Sequence, residues 1–499
     1  MLAHPPPHPV LLIGSYLAPC LRTTRRSRNF IQWQNLSVGR FPTSAKNIFH
    51  SFPQPPTPLF CMPTIGCLPP EILAMIFEVG FGDGDLSFVR GVSLTCRAWY
   101  RLAIDIPRLW SCIAIGRCAS VDRIAVWLER SRFHPLDITI SLLPLELLGT
   151  YDEQDQQLRE MQCKGIEMGK LIHLHIGRWR KMNADSWGKP DGSKADADDE
   201  KASWDPVYEH FGHQPFKLEE LSINWSGAGK DPGEFGSRVG GYPKLRKVTL
   251  EKTVCHWAPH YMVPSLTHLS LLHVDDLGMD ALLGAVNQVP LLEEIRLDGV
   301  TWDTSSSGDQ KVSPVTLPQL LKLDISSSTL HHFVCNLILP KLHMLALWEI
   351  PEDLSPTFRH LTITTSSIEH IATGMWDEEP TYASQQRSLL DLVTSQRRLD
   401  TLRVRNAVLS DDFIRALTPV PATEPIAPML KELEIPVENI NQQLLPTLVQ
   451  TRNLEGSNVC RLQHLVLLGD VAGSTREAVS PCVDILRVEY EPEDSEMSG

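Results

Sequence analysis

Residues 68–77 read LPPEILAMIF and residues 94–110 read LTCRAWYRLAIDIPRLW, two halves of an apolar block that contains two tryptophans. Pro70 and Glu71 suit the first turn of a helix, because proline loses no hydrogen bond there and an acid faces the positive end of the helix dipole. The block is therefore predicted to begin with a helix.

This first predicted helix carries more apolar surface than a small core requires. Ile72, Ile76 and Val79 share one face at helical spacing, while Leu73 and Phe77 occupy a neighbouring face. A bundle of about 45 residues is below the size at which one core usually carries a stable fold, so something else is expected to cover part of this surface. The cover is either a partner protein or the rest of a larger domain whose first helical layer is this block.

The block resembles an F-box, a three-helix module that binds an adaptor protein. The residues that carry the resemblance are, in chain order, Leu68, Pro69, Ile72, Ile76, Phe77, Cys96, Arg97, Trp99, Pro107, Leu109 and Trp110. The continuation through Ile115 is similar to F-box-like proteins that are abundant in mushroom-forming fungi. The resemblance implies a surface that holds a Skp-type adaptor, formed by Leu68, Pro69, Ile72, Ile76, Phe77, Leu94, Cys96, Trp99, Leu109 and Trp110.

The composition is globular and acidic. The chain has 499 residues, of which 42% are hydrophobic and 21% charged, enough for two or three domains. A formal net charge of −14 argues against nonspecific binding to nucleic acid, which requires Lys and Arg to neutralise phosphates. No stretch is long enough to span a membrane. Scattered cysteines without a CxxC pair suit a reducing compartment, so a cytoplasmic or nuclear location is expected.

Composition shifts along the chain predict its boundaries. Residues 1–61 are basic and proline-rich and are predicted to be disordered, although their composition also allows a mitochondrial transit peptide. The F-box is expected at 62–115 and a repeat domain at 116–487. A polar insertion at 188–201 and an acidic tail at 488–499 are expected to be disordered.

The body of the chain repeats the pattern Pro-x-Leu-x-x-aliphatic at intervals of 21 to 28 residues, apart from one long gap. The leucines of the six matches are Leu245, Leu266, Leu292, Leu320, Leu342 and Leu430. Weaker fits without the proline occur at Leu171, Leu218, Phe358, Leu399 and Leu462. This period is typical of leucine-rich repeats, although the asparagine ladder of that family is mostly missing. The predicted fold class is therefore α/β, with the three-helix F-box followed by an irregular leucine-rich-repeat-like solenoid.

Stacked repeats place alternate side chains of each strand on one exposed sheet face. The side chains on that face mix both charges with aliphatic and aromatic groups, which fits a protein target better than a polyanion. The residues predicted to bind the target are Lys247, His268, Arg296, Lys322, Trp348, Arg403 and Arg405. The alternative is an ordinary solvated sheet face.

Patterns for catalysis, metals and cofactors fail at their defining positions. Gly227-Ala-Gly-Lys230 lacks both the leading glycine and the trailing hydroxyl of a phosphate loop. His173 and His175 have no third ligand at a suitable spacing. The chain is therefore expected to be no enzyme and to need no cofactor or metal.

The resemblance implies a function in protein recognition. An F-box protein of this kind is the substrate receptor of a Skp-cullin-F-box ubiquitin ligase, with a Skp-type adaptor and a cullin scaffold as partners and an unknown protein as target. The alternative is a non-degradative interaction scaffold whose F-box-like helices cap the solenoid. Neither hypothesis includes a nucleic acid or a membrane as partner.

Overall fold

The computed structural model describes residues 65, 68–82, 84–116, 120–142, 167–186, 217–225, 242–252, 261–275, 277–302, 313–326, 330–348, 353–365, 367–374, 382–420, 423–454 and 456–489. The chain divides into two compact units, Met1–Cys67 and Leu68–Gly499, and all the elements below belong to the second. The predictions for residues 1–61, for 188–201 and for the tail beyond 489 lie outside the described residues.

The second unit begins with a helical module. Its elements are α1 (Pro70–Phe81), α2 (Leu86–Thr95), α3 (Arg97–Asp105) and a 3-10 turn (Pro107–Trp110). Pro70 occupies the first helical turn as predicted, and the Asp85 carboxylate caps α2 by accepting the Ser87 backbone N–H. The module has its own core, formed by Phe77, Phe81, Val89, Val92, Ala103, Ile106, Leu109 and Trp110.

A parallel sheet of fourteen strands follows the module. Its strands are β1 (Cys112–Gly116), β2 (Leu136–Leu142), β3 (Trp179–Ser186), β4 (Glu220–Trp225), β5 (Lys247–Glu251), β6 (His268–Leu272), β7 (Glu294–Asp298), β9 (Lys322–Ser326), β11 (Met344–Trp348), β12 (His370–Gly374), β13 (Thr401–Arg405), β14 (Glu432–Pro436), β15 (His464–Leu468) and β16 (Ile485–Glu489). Each of these strands pairs with the next in chain order, and β8 (Val315–Thr316) pairs separately with β10 (Leu337–Ile338). This order is solenoid-like, because every unit contacts its sequence neighbours.

Helices connect many of the strands and pack against the buried face of the sheet. They are α4 (Val121–Arg130), α5 (Met279–Val286), α6 (Leu330–Cys335), α7 (Ser355–Thr364), α8 (Tyr382–Ser395), α9 (Asp411–Leu417), α10 (Leu444–Asn453) and α11 (Gly473–Val479). Among the described residues, no helix combines the length and apolar character needed to cross a membrane.

Burial explains why the repeat pattern specifies this sheet. The six leucines that follow the pattern prolines are all fully buried, and each lies two residues ahead of a strand. Within strands such as β6, alternate residues are buried and partly exposed, so the leucines of one strand stack on those of the next. The predicted fold class, a three-helix module followed by a parallel solenoid-like sheet, is confirmed.

Two of the weaker matches to the repeat pattern do not mark strands. The segment around Leu171 is helical at 167–173, and Phe358 lies in α7, so these two pattern matches do not mark strands. In α7 only part of the match lies on the buried helix face: Phe358 and Leu361 are fully buried, whereas Ile363, five positions after Phe358, is 85% exposed. Strand β16 runs to Glu489, two residues into the predicted acidic tail.

Side-chain amides bond to backbone groups at the turns in the C-terminal half of the sheet. The Gln396 amide accepts the Ile368 backbone N–H at 3.1 Å and donates to the Thr365 carbonyl at 3.2 Å. Asn453 accepts the Leu462 backbone N–H at 2.9 Å. These bonds satisfy buried backbone groups in the turns between helices and strands, where an unpaired group would be costly.

Arg452, near the end of α10, also satisfies buried backbone carbonyls. Its side chain is fully buried, and its guanidinium donates to the carbonyls of Leu417, Ile426 and Ala427 at 2.8 to 3.2 Å. Burial lowers the pKa of Arg452 to about 10, which leaves the group charged at neutral pH.

Replacing Arg452 with Met is expected to lower the free energy of unfolding by about 2 kcal/mol or more, because three buried carbonyls lose their donor while the stem is retained. Arg461→Met is the matched control, since Arg461 is exposed and pairs with the exposed Asp484. Thermal denaturation of both variants tests this role; equal melting temperatures would contradict it.

Candidate functional site

The outward side of α1 forms an apolar surface. Ile72, Met75, Ile76 and Val79 are 43%, 62%, 41% and 79% exposed, and Leu68 at the helix start is 36% exposed. These positions recur at intervals of three and four residues, which places them along one side of the helix. We call these five residues the helical surface.

Residues on the opposite side of α1 fix the helix on the module and so determine which side chains face outward. Leu73, Phe77 and Phe81 are buried in the module, and the Phe77 ring meets Trp99 edge-on with ring centroids 5.0 Å apart. Because those side chains anchor the helix, Ile72 and Ile76 must point away from the core. The helical surface is therefore a continuous apolar patch on the folded protein and the candidate contact surface of the module.

The residues predicted to hold an adaptor divide into two groups in the structure. Leu68, Pro69, Ile72, Ile76, Leu94 and Cys96 are exposed, and Trp99 is half-buried. Phe77, Leu109 and Trp110 lie in the core of the module, so the prediction that they contact a partner is corrected: they support the surface from beneath. Met75 and Val79 were absent from that prediction, although their helical spacing from Ile72 indicates the same face.

Trp110 also joins the module to the sheet. Its indole N–H donates to the Ala103 carbonyl at 2.8 Å, and its ring meets Trp127 of α4 with centroids 5.7 Å apart. The Arg130 guanidinium lies 4.5 Å from the centroid of the Trp110 ring. The turn between α1 and α2 reaches β1, where a Cβ on Gly84 would come within 2.7 Å of Cys112 Sγ. The helices are therefore packed against the first strand and helix of the solenoid.

Comparison with known proteins agrees with the helical module. A model of the F-box-like family matches residues 65–115. Those residues form an F-box-like domain. No curated protein sequence matches the chain. A solved structure described as a crystal structure of a Rad7 and Elc1 complex in yeast has 11% sequence identity and a TM-score of 0.37, over 86% of this chain and 91% of that chain.

The face of the sheet that points away from the connecting helices, here called the outer face, is a separate candidate surface. Near the start of the strands, Lys181 Nζ lies 2.8 Å from Glu220, and Lys322 Nζ lies 2.8 Å from Glu294. His268 lies 3.8 Å from the same Glu294. Opposite charges thus alternate across neighbouring strands, an arrangement that stabilises the sheet modestly while remaining solvated.

A second ionic group lies near the C-terminal end of the sheet. Arg403 Nη2 lies 2.7 Å from Glu432, and Arg405 pairs with the nearly buried Glu434. Arg403 Nε also approaches Glu434 at 3.6 Å. Two arginines and two glutamates therefore compensate each other here.

The structure places all seven predicted target-binding residues on this outer face, but it does not bring them into one cluster. They are spread from β5 to β13. Lys322, Arg403 and Arg405 pair with acids on neighbouring strands, and Arg296 pairs with Asp298 on its own strand at 3.0 Å. Sequence alternation indicates the face of each side chain but not its cross-strand partner, so this neutralisation was missed.

Asp324 of β9 lies on the outer face of the sheet and was not among the predicted target-binding residues. It is half-buried and makes no hydrogen bond or ion pair within the described residues. Burial raises the pKa of its carboxyl, while Lys322 and Arg296 oppose this rise and Asp298 and Glu294 add to it. The ionised carboxylate is therefore less well solvated in the folded chain than in the unfolded chain.

Asp324→Asn is expected to raise the melting temperature at pH 7. A carboxyl with a raised folded-state pKa costs stability above that pKa, and the cost disappears below its unfolded-state value of 3.8, where both states are protonated. The gain from the substitution should therefore shrink as pH falls toward that value. Asp484→Asn is the control, because it removes an exposed acid that pairs with the exposed Arg461 and should bring no gain.

The described residues contain no group of three or more His, Cys, Asp or Glu side chains that could hold a metal ion.

Proposed function

We propose that this chain is the target-recognition subunit of a Skp-cullin-F-box ubiquitin ligase. In this proposal the F-box-like domain binds a Skp-type adaptor through the helical surface, and the outer face of the sheet binds a protein target. The observation that carries the proposal is the exposed apolar side of α1 within a domain of the F-box-like family.

The helical surface suits a permanent partner. Five apolar side chains next to each other leave a large area in contact with water, and covering them with a complementary groove removes that area from solvent. Removing it offers more binding energy than the paired charges of the sheet face, which are already compensated. The adaptor is therefore assigned to α1 and the target to the sheet.

No bond is made or broken by this chain in the proposed role. The adaptor and cullin would hold the receptor near a ubiquitin-conjugating enzyme, and the sheet would hold the target, so that a target lysine experiences a high effective concentration of activated ubiquitin. The packing of Trp110 on Trp127 would keep the two surfaces in a defined relation.

The same packing also favours a second candidate, a non-degradative scaffold in which the F-box-like domain caps the first strand of the sheet. The close approach of Gly84 to Cys112 is the contact expected of such a cap. In this second role the adaptor is bound without the cullin, or not at all.

Cullin recruitment separates the two candidates. The full chain, immobilised and supplied with a purified Skp-type adaptor and cullin, is expected to retain the cullin only when the adaptor is present. An Ile76→Asp variant should lose both proteins together. Retention of adaptor with no cullin would contradict the ligase proposal and support the scaffold.

A further inference from the structure

The last strand of the sheet has one side without a partner strand. Among the described residues, β16 pairs with β15 on one side, and no further strand follows it in the sheet. The first strand differs, because the F-box-like domain packs against β1. The open side of an edge strand presents a row of backbone N–H and C=O groups that can pair with another chain.

The inner side chains of β16 are less covered than those of the strand before it. Register places Leu486 beside Leu465 and Val488 beside Leu467. Leu465 and Leu467 are fully buried, whereas Leu486 and Val488 remain partly exposed. On the outer face, Ile485 is 40% exposed. A further strand beside β16 would cover these side chains as β16 covers those of β15.

The backbone hydrogen bonds of β16 indicate which of its residues face the open edge. The Glu489 carbonyl accepts the Gly469 N–H at 2.9 Å, on the side of β15. In a parallel ladder, alternate residues of a strand direct both backbone groups toward the same neighbouring strand. The N–H and C=O groups of Leu486 and Val488 therefore point to the open edge.

Arg487 and Glu489 give this edge a self-complementary charge pattern. Both are exposed on the outer face, and neither forms an ion pair within the described residues. If two copies of β16 pair antiparallel around Val488, each Arg487 lies directly opposite Glu489 of the other copy. A centre at Arg487 would instead place the two arginines opposite each other. Opposite charges across an antiparallel pair stabilise it and like charges destabilise it, so the charges favour the register centred on Val488.

We propose that two copies of this chain associate edge to edge through β16, which joins their sheets across a twofold axis at Val488. The Val488 N–H of each copy donates to the Val488 carbonyl of the other, Arg487 pairs with Glu489, and the partly exposed inner side chains cover one another. A twofold interface uses the same patch on both copies, so it closes as a dimer. The inference goes beyond the proposed function, because β16 and the F-box-like domain lie at opposite ends of the strand order.

The charge pattern favours a second copy over other occupants of the edge. A segment of another protein would need an acid and a base two residues apart in the reverse order, whereas a second copy supplies both by symmetry. Residues 490–499 contain acids but no Arg or Lys, so the chain's own continuation supplies no base to lie opposite Glu489.

Sedimentation velocity of the full chain over a range of micromolar concentrations tests the dimer. The wild-type chain is expected to dimerise reversibly. Arg487→Glu alone and Glu489→Arg alone should each raise the dissociation constant at least about tenfold, because each turns two attractive pairs into two repulsive ones. An equal mixture of the two variants should associate again as a heterodimer, since every charge pair across that interface is once more of opposite sign.

Arg397→Glu is the matched control, because it reverses an exposed arginine that pairs with the exposed Glu424 and should leave the dimer unchanged. Circular dichroism checks that each variant is folded. A wild-type chain that stays monomeric at all these concentrations would overturn the proposal and leave the edge to another segment. Single variants that dimerise as strongly as the wild type, or a mixture that forms no heterodimer, would overturn it as well. Adaptor capture by the same samples, if intact in a monomeric chain, shows that this inference fails without the ligase proposal.

Discussion

Ile76→Asp is expected to weaken binding of a Skp-type adaptor by tenfold or more. Ile76 lies in the middle of the helical surface, between Ile72 and Val79, and is 41% exposed. An apolar anchor at the centre of an interface contributes about 1 to 3 kcal/mol, and a carboxylate there adds the cost of desolvation. Replacing Leu68 and Pro69 together with Ala should have an effect in the same direction. Isothermal titration with purified adaptor measures both.

Ile363→Asp is the matched control for this experiment. Ile363 is also an isoleucine on a helix and is 85% exposed, but it lies in α7, far along the chain from the F-box-like domain. Its substitution should leave adaptor affinity unchanged. Because Ile76 is exposed in the free chain, its variant should fold normally, and circular dichroism checks this. Equal affinities for the Ile76 and Ile363 variants would show that the helical surface is not the adaptor site.

Leu269→Asp is expected to cost more than about 4 kcal/mol and to unfold the solenoid around β6. Leu269 is 1% exposed and stacks between Val248 of β5 and Ile295 of β7 in strand register. A carboxylate at this position would be buried without a partner, and each unit of a solenoid depends on its neighbours for its core. Thermal denaturation followed by circular dichroism gives the loss of stability.

Ser270→Asp provides the comparison for Leu269→Asp. Ser270 is the next residue of β6 and faces outward, so an added carboxylate remains solvated. It should change stability by less than about 0.5 kcal/mol. Adaptor capture should survive in Leu269→Asp, because the F-box-like domain has a core of its own. If that variant lost the adaptor as completely as Ile76→Asp does, the two-module account would be wrong.

The sequence was sufficient to predict the elements whose patterns are local. Pro70 marks the start of α1, and the two apolar faces of that helix separate in the structure into a buried and an exposed side. The six proline-marked leucines locate β5, β6, β7, β9, β11 and β14, because a buried leucine ahead of an alternating strand is a short-range signal. The first three strands have no such proline and were not predicted by that pattern.

Features that depend on pairing across strands were not accessible from the sequence. The predicted target-binding list included Lys322, Arg403 and Arg405, each of which pairs with an acid on a neighbouring strand. It omitted Asp324, which lies beside Arg296 in register, although Arg296 pairs with Asp298 on its own strand. Strand alternation predicts which face a residue occupies, whereas its neighbours depend on the register of chain segments some 30 residues apart.

The sequence also did not show which residues of the F-box pattern are buried. Phe77 and Trp110 match the F-box pattern as well as Ile72 and Ile76 do, yet the structure places the first pair in the core and the second pair on the surface. A pattern match cannot separate residues that contact a partner from residues that hold the contact surface in place. The distinction follows from the packing of α1 against α3, where Phe77 meets Trp99.

Direct titration of the full chain with a purified Skp-type adaptor tests the central claim. The account predicts saturable binding with one adaptor per chain, which Ile76→Asp weakens at least about tenfold while Ile363→Asp and Asp324→Asn leave it unchanged. Absence of saturable binding at micromolar adaptor concentrations, or binding that is insensitive to Ile76→Asp, would contradict it.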